Sequence, residues 1–215
     1  MEKIYTDSAI GTITFRKRKG IRRMAIRVHP VKGISVSVPY LVPFSAAVAF
    51  FKLKREWVIK TVARQQERYR GVQMADPQQI EAMRRQAKTE LPPRLATLAA
   101  RYGFEYNRVT IKHNSTNWGS CSARGNINLN LNIVRLPAVL RDYILLHELC
   151  HLRHRDHGQG FHLLLEHLCT DNLLKLCEEE SSETARQIAR AAVTSRARYP
   201  IDHVCSQAIK QYPLI

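Results

Sequence analysis

Alternating apolar and polar residues predict a β-rich segment at the start of the chain. Three short runs alternate with the period of two that places apolar side chains on one face of a strand: residues 10–15, 24–28 and 33–38. We predict that they form a three-stranded antiparallel sheet within residues 8–40. A helix is expected from Ser45 to about Arg70, because apolar residues recur there at helical spacing.

The rest of the chain predicts helices mixed with single strands, and therefore an α+β fold. The expected elements are a helix at 77–102 that is interrupted at Pro92-Pro93, a strand at 109–112, a half-buried strand at 126–133, a helix from Pro137 to about Arg155 and a helix at 160–179. The last 35 residues are only weakly periodic.

The composition excludes several classes of protein. The 215 residues are 45% hydrophobic, a normal share for a folded globular protein. No apolar stretch approaches the roughly 18 residues that a membrane span needs, and the first residues lack a signal-peptide pattern. Five cysteines without a CxxC pair argue against a disulfide framework. We therefore expect a cytoplasmic protein that does not associate with membranes.

Positive charge is concentrated at the start of the chain. The formal net charge is +16, and residues 1–70 hold 16 basic residues against 4 acidic ones. Residues 147–215 hold 8 basic and 9 acidic residues and are nearly neutral. The basic segment is either a solvated surface or a site for an anionic partner, such as nucleic acid.

The candidate chemistry lies in a histidine cluster. Six of the nine histidines fall within residues 147–167, and His147, Glu148 and His151 form an HExxH pattern in a predicted helix. Four residues rotate a helix by about 400°, so both imidazoles project from one face and suit two ligands of one zinc ion. Glu148 would take a proton from the metal's water and deliver it to the leaving group.

A third ligand must come from further along the chain. His154 lies on the same helical face, but three ligands on one straight helix would spread over about 10 Å, too far for one ion. His157 follows the expected helix end, where a turn would bring it back toward the metal. His162 and His167 are expected on the surface of the next helix or behind the ligands. Glu166 is the fallback ligand, because a glutamate on the following helix completes the site in other HExxH enzymes.

Taken together, these motifs resemble the YgjP-like family of metal-dependent hydrolases, relatives of the SprT-like and WLM metallopeptidases. The resemblance covers roughly residues 10–175 and rests on the Trp118–Ser122 loop, the Asn-rich strand from Asn126 to Asn132, Pro137, the HExxH pattern, His157-Gly158 and Phe161. It implies a zincin-like core, with an HExxH helix beside a small antiparallel sheet and a β-rich part before it. It also implies His147, His151 and His157 as zinc ligands and Glu148 as the catalytic acid/base.

The chain is expected to have three parts, and two segments are candidates for the substrate cleft. We expect a basic N-terminal part at 1–75, the hydrolase core at 76–180 and a C-terminal extension of unassigned role at 181–215. The strand from Asn126 to Ile133 is the candidate edge strand that pairs with an extended peptide. The candidate substrate-binding residues are Trp118, Asn128 and Asn130.

The sequence thus predicts a zinc-dependent hydrolase, most simply a metallopeptidase, with another divalent metal as an alternative to Zn²⁺. Its substrate would be a peptide, a protein or an anionic small molecule. Two other functions stay open. One is a metal-dependent hydrolase of nucleotides or other phosphate-containing substrates, and the other is a nucleic-acid-associated zinc protein whose basic N-terminal part binds the phosphates.

Overall fold

The computed structural model describes residues 1–29, 33–70, 75–179 and 182–215. The chain divides into two compact units, Met1–Gln73 and Met74–Ile215. Each unit has its own cluster of buried apolar side chains. Among the described residues, no helix combines the length and apolar character that a membrane crossing requires.

The first unit is a four-stranded sheet followed by two helices. Its elements are β1 (Glu2–Asp7), β2 (Gly11–Arg18), β3 (Ala25–His29), β4 (Gly33–Pro39), α1 (Phe44–Leu53) and α2 (Arg55–Arg68). The strand order is β1-β2-β4-β3, and β2 and β4 run parallel. The prediction of three antiparallel strands is wrong in this respect. Strand β4 lies between β2 and β3, so both of its edges are paired.

One face of this sheet forms the core of the first unit. Alternate residues of β2 and β4, among them Phe15 and Val36, are fully buried, as is Phe51 on α1. The rings of Phe15 and Phe51 meet edge to face, with centroids 6.3 Å apart. Two helices replace the single predicted one, because Lys54 leaves the helical conformation and separates α1 from α2.

The second unit contains a small sheet and five helices among the described residues. Its elements are α3 (Pro77–Tyr102), β5 (Arg108–Lys112), β6 (Gly119–Cys121), β7 (Asn126–Asn130), a 3₁₀ helix (Leu131–Arg135), α4 (Ala138–Cys150), α5 (Gln159–Glu179), α6 (Glu183–Thr194) and α7 (Pro200–Ile209). The sheet order is β5-β7-β6, with β5 parallel and β6 antiparallel to β7. The architecture is α+β, as expected, but the sheet is mixed rather than purely antiparallel.

Helix α3 continues through Pro92 and Pro93, so the predicted interruption is wrong. Each proline lacks an N–H and removes one hydrogen bond from the helix. However, Leu91, Leu95 and Leu98 follow one another on one face and are fully buried. Their burial holds the helix in register across the two prolines.

Strand β7 is shorter than predicted, because it ends at Asn130 instead of Ile133. The Asn130 side-chain oxygen accepts a hydrogen bond from the backbone N–H of Asn132, at 3.1 Å, and so caps the 3₁₀ helix that follows. The alternation of residues 131–133 therefore belongs to a helical turn. Both Leu131 and Ile133 are fully buried in the core of the second unit.

A buried charge network connects the helices around α4. Asp142 on α4 is 1% exposed and accepts hydrogen bonds from Arg94 on α3, at 2.8 Å, and from Asn172 on α5, at 2.9 Å. A buried carboxylate is tolerated when it is paired and hydrogen-bonded in this way. The network fixes α4 against the helices on either side.

We predict that Asp142→Ala lowers the free energy of unfolding by about 3 kcal/mol, because it removes the buried carboxylate that accepts hydrogen bonds from both Arg94 and Asn172. Urea unfolding followed by circular dichroism would measure the change. Glu81→Ala is the matched control, because Glu81 is an exposed acidic residue that pairs with Arg84 on α3, and its loss should cost less than about 1 kcal/mol. An equal effect of the two substitutions would contradict the role of the network.

Candidate metal centre

Three imidazoles converge at the C-terminal end of α4. His147 lies in the last turn of the helix and His151 is its C-cap residue, and their ring centroids are 5.0 Å apart. His157 comes from the loop between α4 and α5, with its ring 5.1 Å from that of His147 and 4.7 Å from that of His151. One ligand atom from each of the three histidines lies within 4.8 Å of the others. The cluster can therefore hold one metal ion.

Local contacts orient these rings. The Nδ1 of His151 lies 3.1 Å from the carbonyl oxygen of His154, and since a carbonyl only accepts, Nδ1 donates and Nε2 keeps its lone pair. The Nε2 atoms of His147 and His157 are 3.1 Å apart. The Phe161 ring packs against all three imidazoles, with centroid distances of 4.7 to 4.9 Å. The cluster is thus held from one side by α4 and from the other by α5.

The electrostatics of the cluster favour metal-binding imidazoles. Burial, followed by the neighbouring His151 and His157, lowers the pKa of His147 to about 4. Burial also lowers the pKa of His151. Both rings are therefore neutral at physiological pH, which is the form that coordinates a metal. A set of three imidazole nitrogens suits Zn²⁺ and related divalent ions.

Glu148 is a buried carboxylate next to the imidazoles. It is 4% exposed, and its Oε2 atom has no hydrogen-bond partner among the described residues. Burial raises its pKa to about 8. An isolated buried carboxylate is costly, and a nearby cation with its water would offset that cost. The residues present therefore fit a bound metal ion.

Gly119 makes room for Glu148. A Cβ atom at Gly119 would lie 2.5 Å from Oε1 and 2.7 Å from Cδ of Glu148, closer than real contacts allow. Gly119 begins β6, so the strand passes directly against the carboxylate. Only glycine lets the backbone approach this closely.

A cavity of about 570 Å³ opens over the cluster. Residues Trp118 to Cys121, which include all of β6, line one side of it, and Ser206 and Ile209 of α7 line another. Arg155 also borders the cavity, and its guanidinium donates to the carbonyl of Ala123, at 3.1 Å. A cleft of this size beside three imidazoles and a carboxylate suits a substrate of several atoms on each side of the reacting bond.

Of the three candidate substrate-binding residues, one lines the cavity and two do not. Trp118 lines the cavity, but Asn128 and Asn130 are not part of its lining. Asn128 donates to the hydroxyl of Ser120, at 3.1 Å. Asn130 is 1% exposed and donates to the carbonyls of Asn114 and Asn117, at 2.8 and 2.9 Å. Its side chain supports the loop that carries Trp118.

The predicted edge strand is not at the edge. Strand β7 pairs with β5 on one side and with β6 on the other, so no free edge remains for a peptide. The strand with an unpaired edge at the cavity is β6, Gly119–Cys121, among the described residues. Its three residues are too short to be recognised by alternation.

Glu166 and His162 have other partners. The Glu166 carboxylate accepts from the backbone N–H groups of Ile201 and Asp202, at 3.1 and 2.9 Å, and so occupies the N-terminus of α7. His162 donates through Nδ1 to Asp202, at 2.6 Å. The fallback ligand therefore caps a helix, and His162 stands behind the cluster.

The C-terminal segment contributes residues to the cavity walls, although its sequence pattern predicted no role for it. Asp202, Ser206 and Ile209 come from α7, in the weakly periodic stretch to which no role was assigned. Asp202 is 8% exposed and also accepts from the Tyr143 hydroxyl, at 2.6 Å. The proline at the first turn of α7, after a run of basic residues, was the available signal for a helix there.

The fold and this cluster define a metal-dependent hydrolase of the metallopeptidase class. A family model described as YgjP-like, metallopeptidase domain, matches residues 73–180, and the chain belongs to this family. A solved structure, the metallopeptidase zymogen of Pyrococcus abyssi abylysin, is 21% identical with a TM-score of 0.32. The match covers 40% of this chain and 90% of that chain. No curated protein matches the chain.

We predict that Gly119→Ala lowers kcat for peptide hydrolysis by about a hundredfold, because its methyl group displaces the Glu148 carboxylate by a large fraction of an ångström. Metal content, measured by mass spectrometry, should stay at the wild-type level. In a Glu148→Asp background, where the carboxylate is drawn back by one methylene, the same substitution should have little further effect. Fully additive losses in the double variant would contradict a direct contact between residues 119 and 148.

Proposed function

We propose that the chain is a zinc-dependent peptidase in which His147, His151 and His157 hold the metal and Glu148 is the general base and acid. One observation carries the proposal: three imidazole nitrogens converge beside a buried carboxylate whose Oε2 lacks a partner among the described residues. Structural zinc sites are commonly cysteine-rich and closed. Here all three candidate ligands are histidines, and an open cavity lies over them.

When bound, zinc supplies a Lewis acid and lowers the pKa of a water molecule to about 7. Glu148 receives the proton of the attacking water and returns it to the leaving amine. Its burial makes the carboxylate a stronger base than a solvated one, and Gly119 leaves the space that it occupies beside the imidazoles. The protein therefore holds the proton acceptor rigidly next to the position of the metal.

The unpaired edge of β6 supports an extended peptide as the substrate. A peptide beside Gly119–Cys121 would add a strand to the β5-β7-β6 sheet and run past the imidazoles. Trp118 would contribute an apolar surface at one end of this edge. Backbone pairing of this kind gives affinity with little dependence on side chains, and the selectivity must then come from the cavity walls.

We predict that Glu148→Gln retains one equivalent of zinc but lowers the hydrolysis of labelled casein by about a thousandfold or more, because the amide cannot accept the proton. His147→Ala, His151→Ala and His157→Ala should lose both metal and activity. Zinc is measured by mass spectrometry and folding by circular dichroism. Full turnover by a zinc-loaded Glu148→Gln chain would overturn the mechanism, and full metal content in His157→Ala would overturn the third ligand.

His167→Ala is the matched control for the histidine substitutions. His167 is exposed on α5 and is not part of the converging cluster. Its replacement should change neither zinc content nor turnover. A loss of zinc in this variant would indicate that the metal is held elsewhere.

A second function has a separate observation in the first unit. The ammonium groups of Lys17 and Lys19 lie 5.8 and 5.6 Å from the centre of the Tyr40 ring, which is 47% exposed as a residue. Lys17 is also 5.3 Å from the centre of the Phe44 ring. Cations combined with an exposed aromatic ring suit the phosphates and bases of single-stranded nucleic acid. We propose that this cluster binds nucleic acid, whereas the nucleotide-hydrolase alternative stays a prediction from the sequence.

We predict that the double variant Lys17→Glu/Lys19→Glu weakens binding of the full chain to a labelled single-stranded oligonucleotide. The slope of log affinity against log salt should fall by about 1.4, since each phosphate contact contributes about 0.7 for single strands. Fluorescence anisotropy at several salt concentrations measures both quantities. The control, Lys88→Glu/Lys210→Glu, makes the same charge change on exposed lysines of the second unit. An equal loss in the control would contradict a specific site.

A further inference from the structure

A second cavity adjoins the candidate metal centre on the side of α7. Its volume is about 400 Å³, and it shares Tyr143, His147 and Ser206 with the larger cavity. Its other walls come from His162 on α5, from the segment that leads into α7 and from α7 itself, and they include Ala197, Arg198, Tyr199, Asp202 and His203. That segment lies outside the residues that the family model matches. A substrate bound over the imidazoles would extend one of its groups into this space.

The acidic groups at this cavity are already engaged. Asp202 lines the cavity, but its carboxylate accepts from His162 and from the Tyr143 hydroxyl, both at 2.6 Å. Burial and the nearby Asp202 raise the pKa of Tyr143, so its hydroxyl stays a donor. The Glu166 carboxylate accepts hydrogen bonds from backbone N–H groups at the N-terminus of α7. The carboxylates beside the cavity thus already accept hydrogen bonds from groups of the protein.

Arg198 is a cation at the same cavity without a carboxylate partner among the described residues. Its guanidinium carbon lies 5.5 Å from the centre of the Tyr199 ring. Tyr199 in turn stacks on His162, with centroids 5.4 Å apart and an interplanar angle of 18°. Arg198 is exposed, and its contact with the Tyr199 ring places the guanidinium at the cavity, within reach of a ligand.

Other polar groups at the cavity lack a complete set of partners. The Tyr199 hydroxyl is buried and has no hydrogen-bond partner among the described residues. Buried hydroxyls are nearly always hydrogen-bonded, so a water or ligand atom is expected to supply the partner. His203 also borders the cavity and is exposed. The wall therefore offers the positive charge of Arg198 and the exposed imidazole of His203 to an incoming anion.

We propose that this cavity is a substrate subsite for an acidic side chain next to the scissile bond, with Arg198 as the residue that selects it. This inference rests on the proposed metallopeptidase function, because it places the subsite beside the zinc ligands. The carboxylate of Glu or Asp would receive hydrogen bonds from the Arg198 guanidinium, a charge-assisted contact that a neutral residue cannot make. The peptidase would thus favour acidic sequences at one position.

The test uses the zinc-loaded full chain and short peptide hydroxamates, which anchor on the metal and need no turnover. The residue next to the hydroxamate is Glu, Gln or Lys, and both chain directions are prepared so that either side of the metal is probed. Calorimetry should give a Kd for the Glu compound about tenfold lower than for the Gln compound in one direction. Arg198→Gln should remove this ratio, and Arg198→Glu should reverse it in favour of Lys.

Arg196→Gln is the matched control, because Arg196 is an exposed arginine two residues away that does not line the cavity. It should leave the Glu-to-Gln ratio unchanged. Equal affinity of the wild-type chain for the Glu and Gln compounds in both directions would overturn the subsite. An equal effect of the Arg196 and Arg198 variants would also overturn it, since bulk charge would then explain the preference.

The same experiment separates the subsite from the function on which it rests. If all compounds bind tightly and zinc removal abolishes binding, but no charge preference appears, the metal centre stands and the subsite is wrong. If no hydroxamate binds, or if binding persists after zinc removal, the proposed metal centre itself is contradicted, and with it the subsite. Zinc content should be the same in the wild type and in all three arginine variants.

Discussion

The site is organised around Glu148, a buried carboxylate whose Oε2 atom has no hydrogen-bond partner in the part of the chain that the structure describes. Glu148 sits in α4, next to one converging imidazole and three residues before another, and Gly119 presses against it from β6. Burial of an unpaired carboxylate costs free energy, and packing alone does not offset this cost. With its pKa raised to about 8, Glu148 stays largely protonated at neutral pH unless a positive charge joins it and favours the carboxylate. His147 and His151, kept neutral by burial, cannot supply that charge themselves and instead offer lone pairs that would bind a cation.

The rest of the second unit keeps this group of side chains rigid. Asp142 connects α4 with α3 and α5 through its hydrogen bonds to Arg94 and Asn172. Asn130 holds the loop before β6, and Glu166 holds the start of α7. Each of these polar groups is buried or half-buried and fully used by the backbone or by a charged neighbour. Catalytic geometry tolerates little displacement, so the supporting contacts are as necessary as the reacting groups.

Much of this could be predicted from the sequence, where a pattern is local. The HExxH spacing placed His147 and His151 on one face of α4, and the turn expected before Gly158 returned His157 to them. The strand order of the first unit and the central position of β7 could not be predicted in this way. Both depend on which edges pair, and alternation describes the faces of a strand but not its edges. The break predicted at Pro92 and Pro93 was wrong because buried leucines keep α3 intact. Their effect comes from tertiary packing, which the local sequence does not show.

The C-terminal segment shows why local patterns give an incomplete site. Residues 197–209 carry no motif, yet they supply Asp202, Ser206 and Ile209 to the neighbourhood of the imidazoles. The total charge of +16 pointed to the first 70 residues, where the basic excess lies. The second unit is much closer to neutrality, and in the proposed subsite the position of Arg198 beside the cavity has more bearing on the substrate than the total charge. A charge acts on selectivity through its distance from the reacting group and the dielectric around it, so its position decides its effect.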